Sequence, residues 1–253
     1  MRIYVCKNYE DMSKRAADVM AAQLILKPNS VLGLATGSTP IGLYQSLAER
    51  CARGEISFKQ VRSVNLDEYC GITPDNDQSY SYFMFKNLFD HVDILPENTH
   101  FPDGTNTDAA AETANYDALI ASMGGIDVQL LGIGNNGHIG FNEPSDHFAI
   151  GTIHVALTES TIQANSRFFA SLDEVPRYAY SMGCGTIMNA NKILLVANGK
   201  NKAEIMEKAL FGPVTPQVPA SLLQLVSDKV YVFTDAEAGA LLAEKHPESV
   251  VVY

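Results

Sequence analysis

Three stretches of this chain gather side chains able to move protons or hold an anion, and each follows a short apolar run. In LGIGNNGHIGFNEP, residues 131–144, the glycines at 132, 134, 137 and 140 permit tight turns and leave His138 flanked by small residues rather than packed in a core. Imidazole is the side chain suited to exchanging protons near neutral pH. Glu143, further along the same loop, is placed to accept a hydrogen bond from one ring nitrogen and fix the tautomer, the base-plus-orienter arrangement of catalytic triads. A lone loop histidine with a structural role is the plainer alternative.

In Asn65-Leu66-Asp67-Glu68-Tyr69, two carboxylates end an apolar strand. A carboxylate partly withdrawn from water has its pKa raised and becomes an effective base for a proton beside a carbonyl or imine. Alternatively one of the pair caps a helix or faces water. The third stretch is Ala35-Thr36-Gly37-Ser38-Thr39-Pro40. Its glycine permits close backbone approach, its hydroxyls donate, and the helix start that follows offers amides and a positive dipole to a phosphate. A simple capped turn is the competing reading. Neither G-x-x-x-x-G-K-[ST] nor G-x-G-x-x-G opens this helix, so the usual nucleotide fingerprints are missing. Arg167 and Lys202 are the cations best placed to complete an anion site, although each alone reads as an ordinary surface charge.

These loops need strands and helices to aim them. Short apolar or β-branched runs at 2–5, 31–35, 61–66, 126–132, 152–157, 179–182, 192–197, 229–233 and 250–253 read as strands. Helical spacing is seen at Tyr9, Met12, Ala16, Val19 and Met20, ending near Lys27 because Pro28 disfavours helical geometry in the residue before it. Further helices are expected at about 41–52, 80–89, 109–122, 200–210 and 235–244. Apolar strands interleaved with helices predict an α/β fold: a single-domain, mostly parallel, doubly wound (Rossmann-like) sheet with helices on both faces. In such folds ligands bind beyond the carboxyl ends of the strands, where the three loops lie.

Composition narrows the classes. With 253 residues, 46% hydrophobic and 19% charged, the chain reads as soluble and globular, with no run long enough to span a membrane. Its 29 acidic against 18 basic side chains, a formal charge of −11, disfavour nonspecific attraction to nucleic acid or anionic lipid. Cys6, Cys51, Cys70 and Cys184 are scattered, with no C-x-x-C pair and no His cluster at ligand spacing, so neither a metal site nor a disulfide framework is expected. No signal peptide is visible in MRIYVCKNYE, and a cytoplasmic location is expected.

Taken together, GLATGSTP, VNLDEYCGI, LGIGNNGHIGFNEP, ANSRFF and GKNKA occur in the order and approximate spacing of the glucosamine-6-phosphate deaminase (isomerase) family, which the chain resembles over essentially its full length. The resemblance implies conversion of glucosamine 6-phosphate and water to fructose 6-phosphate and ammonia, without redox cofactor or obligatory metal. It implies that His138 opens the pyranose ring, with Glu143 and Asn136 orienting and tuning it. Asp67 then moves a proton from C2 to C1, and Thr36, Gly37, Ser38, Thr39, Arg167 and Lys202 hold the phosphate. A mobile lid is implied at about 153–182, carrying Arg167, with Phe168 and Phe169 as core or hinge packing. Tyr80 lies near enough in the pattern to reach the site.

The chain departs from the family at several points. Some members carry Asp at the position of Asn136, and Asn can orient His138 but adds no charge. Allosterically activated members have Arg and Lys where this chain has Ile153 and Val155, and they carry a longer C-terminal tail. No activation by N-acetylglucosamine 6-phosphate is therefore expected, and a monomer or small homo-oligomer is compatible with these changes. A deaminase for galactosamine 6-phosphate, a lactonase of the same fold group, and a non-catalytic sugar-phosphate sensor are the alternatives. The lactonase is disfavoured because lactone hydrolysis needs no C2 base. The sensor is disfavoured because Asp67, His138 and Glu143 occur together and no DNA-reading segment precedes the first strand.

Overall fold

A computed structural model describes residues 1–159, 162–163, 169 and 171–253. Its first strand, β1 (Arg2–Val5), leads into helix α1 (Tyr9–Leu26), which the sequence dictates closely. The Asn8 side chain accepts the Asp11 amide at 2.9 Å, Glu10 and Asp11 suit the positive end of the helix dipole, and the helix ends ahead of Lys27-Pro28. After β2 (Val31–Leu34) comes α2 (Ile41–Ala52), whose Leu43, Tyr44 and Leu47 are fully buried. Burial of each such side chain contributes roughly 1.5–3 kcal/mol.

Eight parallel strands form the main sheet, in the order β11 (Val250–Val252), β1, β10 (Val230–Thr234), β9 (Lys192–Ala197), β6 (Val128–Leu131), β2, β3 (Arg62–Asn65), β5 (Thr99–His100). Every residue of β2 and β6 is buried, as strands covered on both faces must be. From β2 the chain steps outward to β3 and β5, then resumes at β6 on the other flank of β2. The β2/β6 boundary is therefore the topological switch point, and the crevice beyond its carboxyl ends is where an open α/β sheet binds ligands. Among the described residues no helix is long and apolar enough to cross a membrane.

Two expected strands lie elsewhere. Residues 152–157 and 179–182 provide β7 (Ile153–Ala156) and β8 (Tyr178–Ser181), which pair antiparallel with each other and with β4 (Asp67–Tyr69) in a separate three-stranded sheet. Their burial explains the difference: β7 alternates half-buried and exposed residues, the pattern of a strand covered on one face only. This sheet shelters a second apolar cluster of Tyr69, Phe141, Leu157, Ile162, Val175 and Ala179. The expected helix at 235–244 is shortened to Ala240–Lys245, because the Asp235 carboxylate takes the Ala238 amide at 2.8 Å and shapes a turn first. Strand β5, the helix Cys184–Asn189 and the 3-10 stretch Pro219–Lys229 carry too little periodicity to have been expected.

Candidate active site

Asp67 and Glu68 adjoin in sequence, but their surroundings differ. Glu68 is absorbed by structure: Oε1 accepts the amides of Tyr69 and Tyr80, and Oε2 that of Ser81, each at 2.9 Å, at the start of helix α3 (Tyr80–Asn87). Asp67 is just as buried, yet its carboxylate accepts no hydrogen bond from any described residue. Burial, and secondarily the neighbouring Glu68 charge, push its pKa up to about 8. Glu68 thus caps the helix start, while Asp67 is left buried with a raised pKa. Asp67 faces the histidine loop: the Cβ direction of Gly140 ends 3.6 Å from Asp67 Oδ2.

In that loop the Nδ1 of His138 lies 3.1 Å from Oε1 of Glu143, an ion-pair distance, though the ring N–H is not aimed along it closely enough for a linear hydrogen bond. Asn136 joins the group through both of its amide atoms: Nδ2 donates to Glu143 Oε2 at 2.6 Å, and Oδ1 accepts the His138 amide at 3.2 Å. An ionised Asp would supply no donor for Glu143. The imidazole rests against Gly134, where a Cβ would stand 2.4 Å from both Cε1 and Nε2. Asn142 anchors the loop by donating to the carbonyls of Ile139 and Met182, and the Phe141 amide donates to the buried Ser181 hydroxyl.

The loop after β2 borders the same crevice. Gly37 is left-handed at φ +98°, a conformation that favours glycine, and nothing lies within 4 Å of its Cβ direction. The amides of Gly37, Ser38 and Thr39 donate to no described residue, whereas Ile41 and Gly42 at the helix start donate to the Ser38 carbonyl and the Tyr9 hydroxyl. The free donors therefore belong to the loop more than to the helix end, a backbone nest suited to an anion. Thr36 is half-buried beside it, and Thr39 donates its hydroxyl to Asn198 at 2.7 Å.

Lys202 closes the opposite side. Its Nζ donates to the Ile133 carbonyl at 2.7 Å, and burial lowers its pKa. Arg167 lies outside the described residues, as does Phe168. Tyr80 stands in the aromatic wall beside Asp67, its ring 6.1 Å from Phe141 and 4.7 Å from Tyr69 between centroids, while Phe169 meets Tyr69 edge-on at 6.1 Å.

Several positioning residues escaped the sequence reading. The Tyr9 hydroxyl donates toward the Ser38 and Thr39 carbonyls, Asn201 donates to Asn135, and Asp235 accepts the Gly199 amide. With Thr39–Asn198 and Lys202–Ile133, these contacts lace together the loops after β2, β6 and β9. The polar Asn198-Gly199 step directly after an apolar strand was the available signal; Tyr9, on a remote helix, gave none.

The chain is similar over most of its length to known proteins. The family described as glucosamine-6-phosphate isomerases/6-phosphogluconolactonase matches residues 7–232. A glucosamine-6-phosphate deaminase from Lachnoclostridium phytofermentans is 59% identical over 228 residues, covering 90% of this chain and 97% of that protein. One from Clostridioides difficile is 54% identical over 241 residues, covering 95% of this chain and 97% of its own. A solved structure of a monomeric glucosamine-6-phosphate deaminase superposes with a TM-score of 0.92 at 44% identity, covering 95% of this chain and 100% of that one. The 6-phosphogluconolactonase of Trypanosoma brucei shares the fold, with a TM-score of 0.75 at 19% identity over 96% of this chain and 98% of its own.

Proposed function

Since the chain belongs to the family of glucosamine-6-phosphate isomerases and 6-phosphogluconolactonases, we propose that the crevice between its β2, β3 and β6 loops converts glucosamine 6-phosphate and water to fructose 6-phosphate and ammonia. The observation that carries the reading is a buried carboxylate, Asp67, to which no described residue donates a hydrogen bond, facing the loop that presents the His138–Glu143–Asn136 group. Lactone hydrolysis gives such a base no task. Proton abstraction from carbon requires one.

The phosphate binds at the amides of Gly37, Ser38 and Thr39 and the hydroxyls of Thr36 and Ser38, with Lys202 and Arg167 supplying charge, so binding energy far from the reacting carbons holds C1 and C2 in place. With Nδ1 of His138 turned to Glu143, Nε2 takes the proton from the anomeric hydroxyl and delivers it to the ring oxygen, breaking the C1–O5 bond. Asp67 removes the C2 proton as O1 of the aldehyde takes up a proton to give the enol, then returns its proton to C1 while the amino nitrogen gives one up, leaving a C2 imine. Water adds to that carbon and ammonia departs, which gives the ketose. Asn136, Glu143 and His138 act as one unit, the first two fixing the ring of the third.

Residues 153–182 are the proposed closing segment. In register β4 sets Asp67 against Ser181 of β8, so a movement of this segment acts directly on the strand bearing the base. Reduced cysteines and a sugar-phosphate substrate fit a cytoplasmic enzyme.

A coupled assay for ammonia and fructose 6-phosphate, run on glucosamine 6-phosphate, galactosamine 6-phosphate and 6-phosphogluconolactone, tests the reading. Turnover of the first substrate above the other two is expected; ammonia release absent from both amino sugars would overturn it. Lys202→Ala is expected to raise KM roughly 10- to 100-fold, the worth of a charge-assisted hydrogen bond, with a smaller change in kcat. Weaker competition by inorganic phosphate in that variant is the direct check on the anion role.

A further inference from the structure

Glu68 takes no part in the proposed proton transfers, yet its carboxylate accepts three backbone amides beside the crevice. Building on the role proposed for Asp67, we infer that Glu68 is a positioning residue for that base, a charged pin fastening the base-bearing strand β4 to the start of α3 and its Tyr80.

The geometry requires a carboxylate of this length. Three amides converge on it from two directions, Tyr69 from β4 and Tyr80 and Ser81 from α3, each at 2.9 Å. All three are N–H donors, so the acceptor must offer lone pairs on both oxygens and no hydrogen. An ionised carboxylate meets that demand, whereas an amide would set its NH2 against one of the donors. The Ser79 side chain already caps the Tyr82 amide, so Glu68 takes the two preceding ones and completes the helix start.

The consequence reaches the base through its neighbours. Tyr80 enters the site directly from the pinned turn, its hydroxyl shares a hydrogen bond with that of Tyr69, and its ring stacks on Phe141 of the histidine loop. Glu68 therefore sets the wall against which Asp67 is buried. Among the described residues the titratable groups facing Asp67 and Glu68 are each other, Tyr69 of β4, Tyr80 of α3 and Tyr116 of helix α4 (Ala109–Ser122), with Cys70 following β4 also facing Glu68.

Two variants separate pin from charge. Glu68→Gln keeps the length but loses the charge and one acceptor; Glu68→Asp keeps the charge but falls a methylene short. Both are expected to lower kcat about 10- to 100-fold, as small displacements of a catalytic group do, with KM changed by less than about threefold. The acid limb of the kcat/KM profile is expected to move down by roughly one pH unit in Glu68→Gln, where the like charge is gone, and to stay in place in Glu68→Asp. An unmoved limb in Glu68→Gln, or full turnover in either variant, sinks the inference. Should Glu68→Gln fail to fold, wild-type kcat in Glu68→Asp still overturns it. Asp67→Asn, assayed beside them, keeps the two levels apart: if it retains turnover the role of the base is wrong, whereas loss of turnover there with wild-type behaviour at position 68 refutes the pin alone.

Discussion

Replacing Asp67 by Asn lowers ammonia release by roughly 10²–10⁴-fold, the contribution of a positioned general base, while interconversion of the substrate anomers persists. Exchange of the C2 hydrogen with deuterated solvent disappears in the same variant, because no other described carboxylate takes its place. Wild-type exchange in Asp67→Asn would falsify the assignment. The pH dependence follows from the same residue. With its pKa pushed up to about 8 by burial and by Glu68, Asp67 is largely protonated in the resting enzyme at neutral pH. The kcat/KM profile, which reports the free enzyme, is therefore expected to rise with pH and reach half its limiting value near pH 8.

The same shift has a stability consequence of definite sign. An acid whose folded-state pKa lies above its unfolded value binds its proton more tightly when folded, so its contribution to stability falls as pH rises from 3.8 to about 8. Asp67→Asn removes that cost and is expected to melt at a higher temperature than the parent at pH 8, an exchange of activity for stability. A lower melting temperature at that pH would mean that the carboxylate gains more from its surroundings than burial takes away.

The second large effect is expected at Gly134. A methyl group there meets the imidazole of His138 at 2.4 Å, far inside van der Waals contact, so the ring must leave the position it holds beside Glu143. A loss of about 10²-fold in kcat/KM is expected from the displaced base, with the fold retained. Gly132→Ala is the internal control: nothing lies within 4 Å of its Cβ direction, its φ is not in the left-handed region, and activity within about twofold of the parent is expected. Equal losses in the two variants would show that the loop merely resists substitution, and that the close approach at Gly134 is not what matters.

How much of this was legible beforehand depends on the range of the interactions concerned. The span of α1, the runs of the parallel strands and the loops that hold the site are local matters: Asn8 capping, Pro28 ending a helix and apolar runs bounded by small residues act within a few positions of themselves. The pairing of His138 with Glu143 belongs to the same class, since both sit in one loop. Sequence therefore determined the fold class and the chemical groups available.

What it left open was decided by contacts between residues far apart in the chain. Asp67 and Glu68 have nearly equal claims on paper. Only the arrival of α3, whose amides fall on one carboxylate and pass the other by, separates a bonded carboxylate from one left with a raised pKa. Likewise β7 and β8 read as two more strands until β4 recruits them into a second sheet, and Tyr9 reaches the loop after β2 only because α1 folds back onto it. Hydrogen bonding and burial are properties of the assembled surroundings, so the ionisation of Asp67 is set by tertiary structure, while its being a carboxylate was written in the chain.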